Sequence, residues 1–289
     1  MKVLGVAGPS DSGKTTVVEG LAARLSQCGT VGTVKRLTHE PDIDTDGKDT
    51  ARHRDAGSAH TVGVTDGGEW FGTGDGWTLP DVLDDFAPVC DYVIVEGFSG
   101  SHLPKVSLGD RSTASPVVAT AADADALDLD EVAAIVKDLA SYETPASLVV
   151  TLRDSLRPKH YETTATSTIP AAVVASDDGV AAEIEAANRR LRSVDGVCAA
   201  CVHHQRSLFD GRDDVVHLAV LAEGTVRANE RSVAKSNDSS TLADYLRIRK
   251  WFKIVVRIVD IGQYLKGVEV NYQNWRENAF SSKNGRHQP

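Results

Sequence analysis

The residues best suited to chemistry form one run near the start of the chain: Gly8-Pro9-Ser10-Asp11-Ser12-Gly13-Lys14-Thr15, a G-x-x-x-x-G-K-[ST] pattern. Glycines at both ends let the backbone N–H groups turn inward, where they and the positive end of a following helix can hold phosphate oxygens. Lys14 brings a point charge to the β- and γ-phosphates, and the Thr15 hydroxyl is a ligand for Mg²⁺. Pro9, Ser10, Asp11, Ser12 and Thr16 complete the cradle. The second candidate is Glu96, which closes the apolar run Asp91-Tyr92-Val93-Ile94-Val95-Glu96 and is followed by Gly97-Phe98. A carboxylate at the end of a strand beside a phosphate loop can reach Mg²⁺ or orient an attacking water. Lys14 and Glu96 are therefore the candidate catalytic residues, and Thr15 and Glu96 the candidate metal ligands.

Other polar clusters are weaker. Thr38 to Asp49 is the most polar loop of the first half, and Lys35, Arg36 and Lys48 beside it could meet phosphates as the loop closes over them. Asp42, Asp44, Asp46 and Gly47 imitate the opening of a calcium loop, but position 12 is His53 where a bidentate glutamate is required, so that reading is rejected. No [NT]-K-x-D guanine signature occurs; the best base-contacting segment is Val117 to Thr120 with Asp123 just beyond, because ligands sit past the carboxyl ends of parallel strands. Cys198 and Cys201 have the spacing of a metal or redox pair. No second C-x-x-C accompanies them, and residues three apart on a strand should face opposite sides, so two structural thiols are expected.

Positioning these groups requires alternating short strands and helices. Apolar runs predict strands at 2–7, 31–36, 60–65, 91–96, 104–108 and 116–120, and helical periods predict helices at 14–27, 49–57, 79–87 and 129–141. That alternation implies an α/β fold with a mostly parallel sheet covered by helices. After Pro145 the pattern changes to a smaller α+β unit, with strands expected at 147–152 and 170–175, a helix at 179–193 and a hairpin of 197–204 with 214–222. The expected organisation is a nucleotide-binding domain over 1–143, a second unit over 146–230 and an atypical tail over 231–289, poorly ordered or loosely attached.

Composition narrows the class. The chain has 289 residues and a net charge of −10, which disfavours a general binder of nucleic acids or membrane surfaces, both polyanionic. Residues 1–200 carry 31 acidic and 17 basic side chains, whereas 201–289 carry 10 and 14, so the sign of the balance reverses near the C-terminus. With no span or leader visible, the expected location is cytoplasmic.

Taken together, the phosphate loop, Val34-Lys35-Arg36 through Thr38-His39 to Gly47-Lys48-Asp49-Thr50, Arg54-Asp55-Ala56-Gly57-Ser58 and Val95-Glu96-Gly97-Phe98 resemble the MobB family over about residues 1–140. The resemblance implies a GTP-binding, weakly hydrolysing adaptor of molybdopterin guanine dinucleotide biosynthesis with Mg²⁺ as its cofactor. It also implies a homodimer that works with a molybdopterin guanylyltransferase-type partner or a molybdopterin synthase subunit. Arg36-Leu37 stands where the family commonly has histidine. The second unit is similar to part of the molybdopterin synthase large-subunit family, MoaE, in the helix at 179–193, in Val202-His203-His204 and in Gly211 with Asp214 to Leu221; that family's downstream His-Arg pair and lysine segment have no counterpart here. The alternatives are a small-molecule P-loop kinase, which the same strand, loop and acidic strand end would serve, and a nucleotide-regulated partner of molybdopterin synthase.

Overall fold

The structure is a computed structural model that describes residues 1–38, 47–110, 112–156, 161, 163–174, 179–194, 196–209 and 212–222. The first unit contains β1 (Lys2–Ala7), α1 (Lys14–Leu25), β2 (Val31–Lys35), α2 (Asp49–Asp55), β3 (His60–Val64), β4 (Trp70–Gly74), α3 (Leu79–Phe86), β5 (Tyr92–Glu96), β6 (Lys105–Leu108), β7 (Val117–Ala121) and α4 (Leu129–Asp138). The second contains α5 (Pro145–Ser155), β8 (Thr163–Pro170), α6 (Ala171–Val174), α7 (Val180–Arg192), β9 (Val197–Gln205) and β10 (Val215–Ala222).

Five strands make a parallel sheet in the order β2-β5-β1-β6-β7, so the strand that ends in Glu96 lies directly beside the one that feeds the phosphate loop. Alternation along these strands divides the core in two. Leu4, Val6 and Ile94 face Val17, Leu21 and Leu25 of α1 and Val132 and Val136 of α4. Val3, Val93 and Val95 face the other way, toward Leu79 and Leu83 of the eight-residue α3. So short a helix covers little of that face, and Tyr142, Leu208 and Phe209 add to it. The second unit therefore lends side chains to the core of the first.

In the second unit β8, β10 and β9 form an antiparallel sheet in that order. Leu191, Ile184 and Ala187 of α7 cover one face, and Leu148 and Leu152 of α5 cover the other.

Four expectations are corrected. Residues 147–152 are helix, within α5, although Leu148-Val149-Val150-Thr151 reads as a strand. Thr144 and Ser147 cap the helix reciprocally, with Ser147 N–H donating to Thr144 Oγ1 at 3.1 Å and Thr144 N–H to Ser147 Oγ at 2.8 Å, while Pro145 occupies a first-turn position. The strand expected at 170–175 is displaced to Thr163–Pro170, and 171–174 is helical. Its polar Thr/Ser sequence suits an edge strand whose side chains alternate between exposed and half-buried, because threonine is β-branched. The strand at His60–Val64 leaves the parallel sheet and pairs with the unforeseen β4 as a separate antiparallel hairpin. Finally, Cys198 and Cys201 share the α5 face. A register shift leaves Leu221 opposite Ala199 and Ala222 opposite Val197, and this bulge turns Cys198 to the side of Cys201.

The residues 39–46 of the polar loop and the tail over 231–289 lie outside the described residues, as do Glu223 and all residues beyond it. Among the described residues no helix is long and apolar enough to cross a membrane.

Candidate nucleotide-binding site

The phosphate loop runs from the end of β1 to the first residue of α1. Gly13, the N-cap of α1, has φ 81°, a left-handed conformation that favours glycine, and a Cβ there would stand 2.5 Å from Ala124 Cβ. Gly13 brings no capping side chain to α1, and the first turn of the helix holds no acid. Asp11 also has a positive φ, 59°, and Ser12 Oγ donates to the Pro9 carbonyl at 3.0 Å, which fixes the curl of the loop. Lys14 Nζ folds back onto the same carbonyl. Pro9, Ser10, Asp11 and Thr16 are exposed, and Gly8 is buried at the root of the loop.

Glu96 joins the loop to the sheet. Its residue is 8 % exposed, and both carboxylate oxygens are engaged: Thr15 Oγ1 donates to Oε2 at 3.2 Å, and Lys35 Nζ lies 3.0 Å from Oε1. Lys35 and Glu96 are register partners on β2 and β5, and Val6 of β1 is the partner of Glu96 on its other side. Parallel pairing alone therefore delivers the ion pair. The lysine side chain is 54 % exposed, so water can replace it readily, whereas the carboxylate is held.

The structure brings Lys14, Thr15, Glu96 and Lys35 together. It sets the loop after β7 against the same place, since Ala124 approaches Gly13, and Gly109 at the end of β6 approaches Pro9. Thr120 is exposed at the end of β7, and Asp123 Oδ1 accepts from Ala126 N–H at 3.1 Å, forming the turn that follows. Lys48 is exposed as the N-cap of α2, and no described hydrogen bond or ion pair joins it to the phosphate loop. The contact between Lys35 and Glu96 was not foreseen; the signal was the equal number of residues from each strand's start to its charged end.

The donor set suits a hard divalent cation. Thr15 Oγ1 and Glu96 Oε2 are candidate oxygen ligands 3.2 Å apart at the mouth of the phosphate loop, and in their present arrangement an ammonium balances the carboxylate.

The histidines of the second unit are placed differently. His203 and His217 are register partners, and His217 Nδ1 lies 2.8 Å from Thr168 Oγ1. His204 points elsewhere, its Nε2 3.1 Å from Asp214 Oδ2. None of the three touches the phosphate loop through a described hydrogen bond.

Residues 3–138 match the family model described as "Molybdopterin guanine dinucleotide synthesis protein B". The chain belongs to the MobB family. A Haemophilus influenzae protein named "Molybdopterin-guanine dinucleotide biosynthesis adapter protein" is 32 % identical over 127 residues, covering 40 % of this chain and 67 % of that protein. A Haloferax volcanii protein named "Probable molybdopterin synthase" is 32 % identical over 238 residues, covering 77 % of this chain and 85 % of that protein. Coverage of 77 % of the chain exceeds the length of the MobB match, so this similarity continues into the second unit. Among solved structures, Bacillus subtilis MobB is 24 % identical with a TM-score of 0.37, covering 48 % of this chain and all of that one. A MobB homolog from Bacillus stearothermophilus is 32 % identical with a TM-score of 0.29, covering 37 % of this chain and 63 % of that one.

Proposed function

We propose that this MobB protein binds GTP with Mg²⁺ and hydrolyses it slowly, as an adaptor in molybdopterin guanine dinucleotide biosynthesis. The observation that carries the reading is the cluster at the carboxyl end of β1, β2 and β5: Lys14 and Thr15 on the loop, Glu96 beside them and Lys35 across from it. Gly8 to Thr16 hold the phosphates through backbone amides and the Lys14 ammonium, and Lys35 and Lys48 add positive charge at the outer phosphates. Thr120 and Asp123 border the base. Thr15 and Glu96 hold Mg²⁺, which supplies charge neutralisation at the terminal phosphates. Glu96 keeps a water oriented for attack, and its partial burial keeps it in one place. The family likeness supplies the pathway, since relatives of the first unit carry the name of a biosynthesis adapter.

A second reading, a nucleotide-regulated partner of molybdopterin synthase, is favoured by the Haloferax volcanii relative, whose similarity extends beyond the first unit. On this reading the MoaE-like second unit meets a synthase subunit while the first unit binds nucleotide. Competition binding of GTP and ATP with excess Mg²⁺ tests the site, and turnover without any acceptor separates hydrolysis from kinase activity. GTP preference with slow acceptor-independent phosphate release is expected. Transfer of phosphate to a small-molecule acceptor would overturn the adaptor reading. The domains proposed for the two units are 1–143 and 146–230, with a homodimer in solution.

A further inference from the structure

Lys105 opens β6, ahead of the buried residues Val106, Ser107 and Leu108, and is only 1 % exposed. Its Nζ donates to the carbonyl oxygens of Ala114 at 2.9 Å, of Ser99 at 3.4 Å and of Ser101. An ammonium has three N–H donors, so these three carbonyls saturate it. The opposite residue on β1 is Gly5, and a Cβ there would stand 3.1 Å from Lys105 Cβ; glycine leaves the lysine stem the room it occupies. Burying an ammonium is costly before its hydrogen bonds are counted, and an apolar side chain would fill this position at no such cost. What only the ammonium achieves is to tie two irregular segments, 99–101 and 114, to an inner strand of the sheet.

The first of these segments is reached from Glu96 through Gly97 and Phe98. Gly97 has φ 94° and Phe98 φ 51°, and a positive φ at a bulky residue is strained. Several contacts hold it there. Gly97 N–H donates to the Val6 carbonyl at 2.9 Å, Arg36 N–H donates to the Glu96 carbonyl at 3.0 Å, and the Arg36 guanidinium lies 5.7 Å from the centroid of the Phe98 ring. At its far end the same segment meets the second unit. His102 N–H donates to the Leu208 carbonyl at 3.0 Å, and Leu208 and Phe209 pack on the core that contains Leu103 and receives Phe98. The loop that carries Leu208 is itself anchored, since Asp214 Oδ1 accepts from Ser207 N–H at 2.9 Å.

We propose that Gly97 to Leu103 is a relay between the Glu96 site and the second unit, and that Lys105 is the positioning residue that clamps the relay in one conformation. The proposal deepens the nucleotide reading and rests on it for its purpose: when Glu96 exchanges Lys35 for a metal ion, the strained turn that follows it is the first backbone to respond. Leu208 then receives the change through one hydrogen bond and one shared core. Strain at Phe98 supplies the second conformation that such a device requires, because release of the clamp allows the turn to relax.

Hydrogen exchange on the full chain tests this. In the ligand-free protein, Lys105→Met should speed exchange about tenfold at both 98–103 and 206–209 while β1 and β10 stay within about twofold. Faster exchange at 98–103 with 206–209 unchanged overturns the relay. Should that variant fail to fold, Leu208→Ala approaches from the other end, where the side chain is only partly buried: 98–103 should again exchange faster, and no change there overturns the proposal. With Mg²⁺ and the non-hydrolysable guanosine 5′-(β,γ-imido)triphosphate, the wild type should become protected at 8–15 and at 206–209, and Lys105→Met at 8–15 alone. Protection of 8–15 without 206–209 in the wild type overturns the relay and leaves the nucleotide reading standing. No protection at 8–15 overturns the nucleotide reading, and the ligand-free comparison then decides the relay by itself.

Discussion

At the carboxyl end of the parallel sheet, Glu96 divides its two oxygens between Thr15 and Lys35; across the antiparallel sheet, Thr168, His217 and His203 stand side by side on three strands. Both clusters place polar groups where the chain is mostly apolar, yet their electrostatics differ. Glu96 is charged, held in place, and balanced by a lysine that is half in water. His217 is buried, and burial, with smaller repulsion from His203, pushes its pKa down to about 4, so it is neutral near pH 7. Burial likewise lowers His203, whose buried Nε2 has no hydrogen-bond partner among the described residues. A charge with a replaceable partner is ready to receive a ligand. A neutral imidazole bonded to a threonine contributes to one folded arrangement and asks for nothing further.

The largest expected effect would break the first half of that comparison. Lys14→Ala should weaken Mg²⁺·GTP binding by about 100-fold or more in titration calorimetry while leaving the unfolding midpoint nearly unchanged, because among the described residues the ammonium hydrogen-bonds to the loop's own Pro9 carbonyl rather than to the core. Affinity within threefold of the wild type would remove the phosphate loop from the site. Glu96→Gln keeps the shape and removes the charge. Binding should hold within a few-fold, and single-turnover hydrolysis should fall by about 10- to 100-fold.

The histidine row supplies the opposite kind of test, one of stability. For His217 the folded-state pKa is about 4, below the ordinary value of 6.5, so the folded protein binds fewer protons than the unfolded chain between those pH values. Its contribution is complete above about pH 6.5, declines as the pH falls toward 4 and is absent below that. The full shift corresponds to about 3 kcal/mol, and residual access to water reduces this to roughly 2 kcal/mol. Replacing it as His217→Asn, which retains an acceptor for Thr168, should flatten the difference between urea unfolding at pH 7 and pH 4.5 by about that amount. An unchanged difference would mean that His217 is not buried neutral.

Local motifs made the candidate site legible, and long-range pairing made the rest less so. Residues 8–15 announce themselves because the glycines, lysine and threonine all act within one turn of chain, and Glu96 because an apolar strand stops at an acid. The Lys35 contact depends on the parallel register of β2 and β5. Lys105 was hidden for a similar reason: its three acceptors lie on two irregular segments whose carbonyls no side-chain pattern reveals. In α5 local signals conflicted. The β-branched run Val149-Val150-Thr151 argued for a strand, and the reciprocal cap of Thr144 and Ser147, with Leu148 and Leu152 packed on Ala219 and Leu221, decided for a helix. The strands of β3 and β4 carry three glycines, Gly63, Gly72 and Gly74, which weaken the strand pattern that hydrophobic alternation would give.

The smallest effect is expected at the seam between the two regions. Tyr142 follows α4, and its hydroxyl donates to Asp84 Oδ1 of α3 at 2.5 Å. Burial raises the pKa of both groups; for Asp84 the hydrogen bond from Tyr142 and the charge of Arg212, which belongs to the second unit, act in the opposite direction. Tyr142→Phe keeps the ring in the core with Leu79, Leu83 and Val93 and removes only the donor, leaving a partly buried carboxylate with one partner fewer. The loss should be about 1 kcal/mol at pH 7, below the usual range for a hydrogen bond to a charged group because the charge of Arg212 remains nearby. Urea unfolding of Tyr142→Phe, Asp84→Asn and the double variant checks this as a cycle: a coupling of about 1 kcal/mol is expected, and strict additivity would show that the two groups do not meet. Repeating the cycle in an Arg212→Ala background should enlarge the coupling, since the carboxylate then loses the nearby guanidinium charge and relies more on the tyrosine. A coupling that shrank instead would show that Arg212 holds the pair together, and that the seam is organised from the second unit rather than from the first.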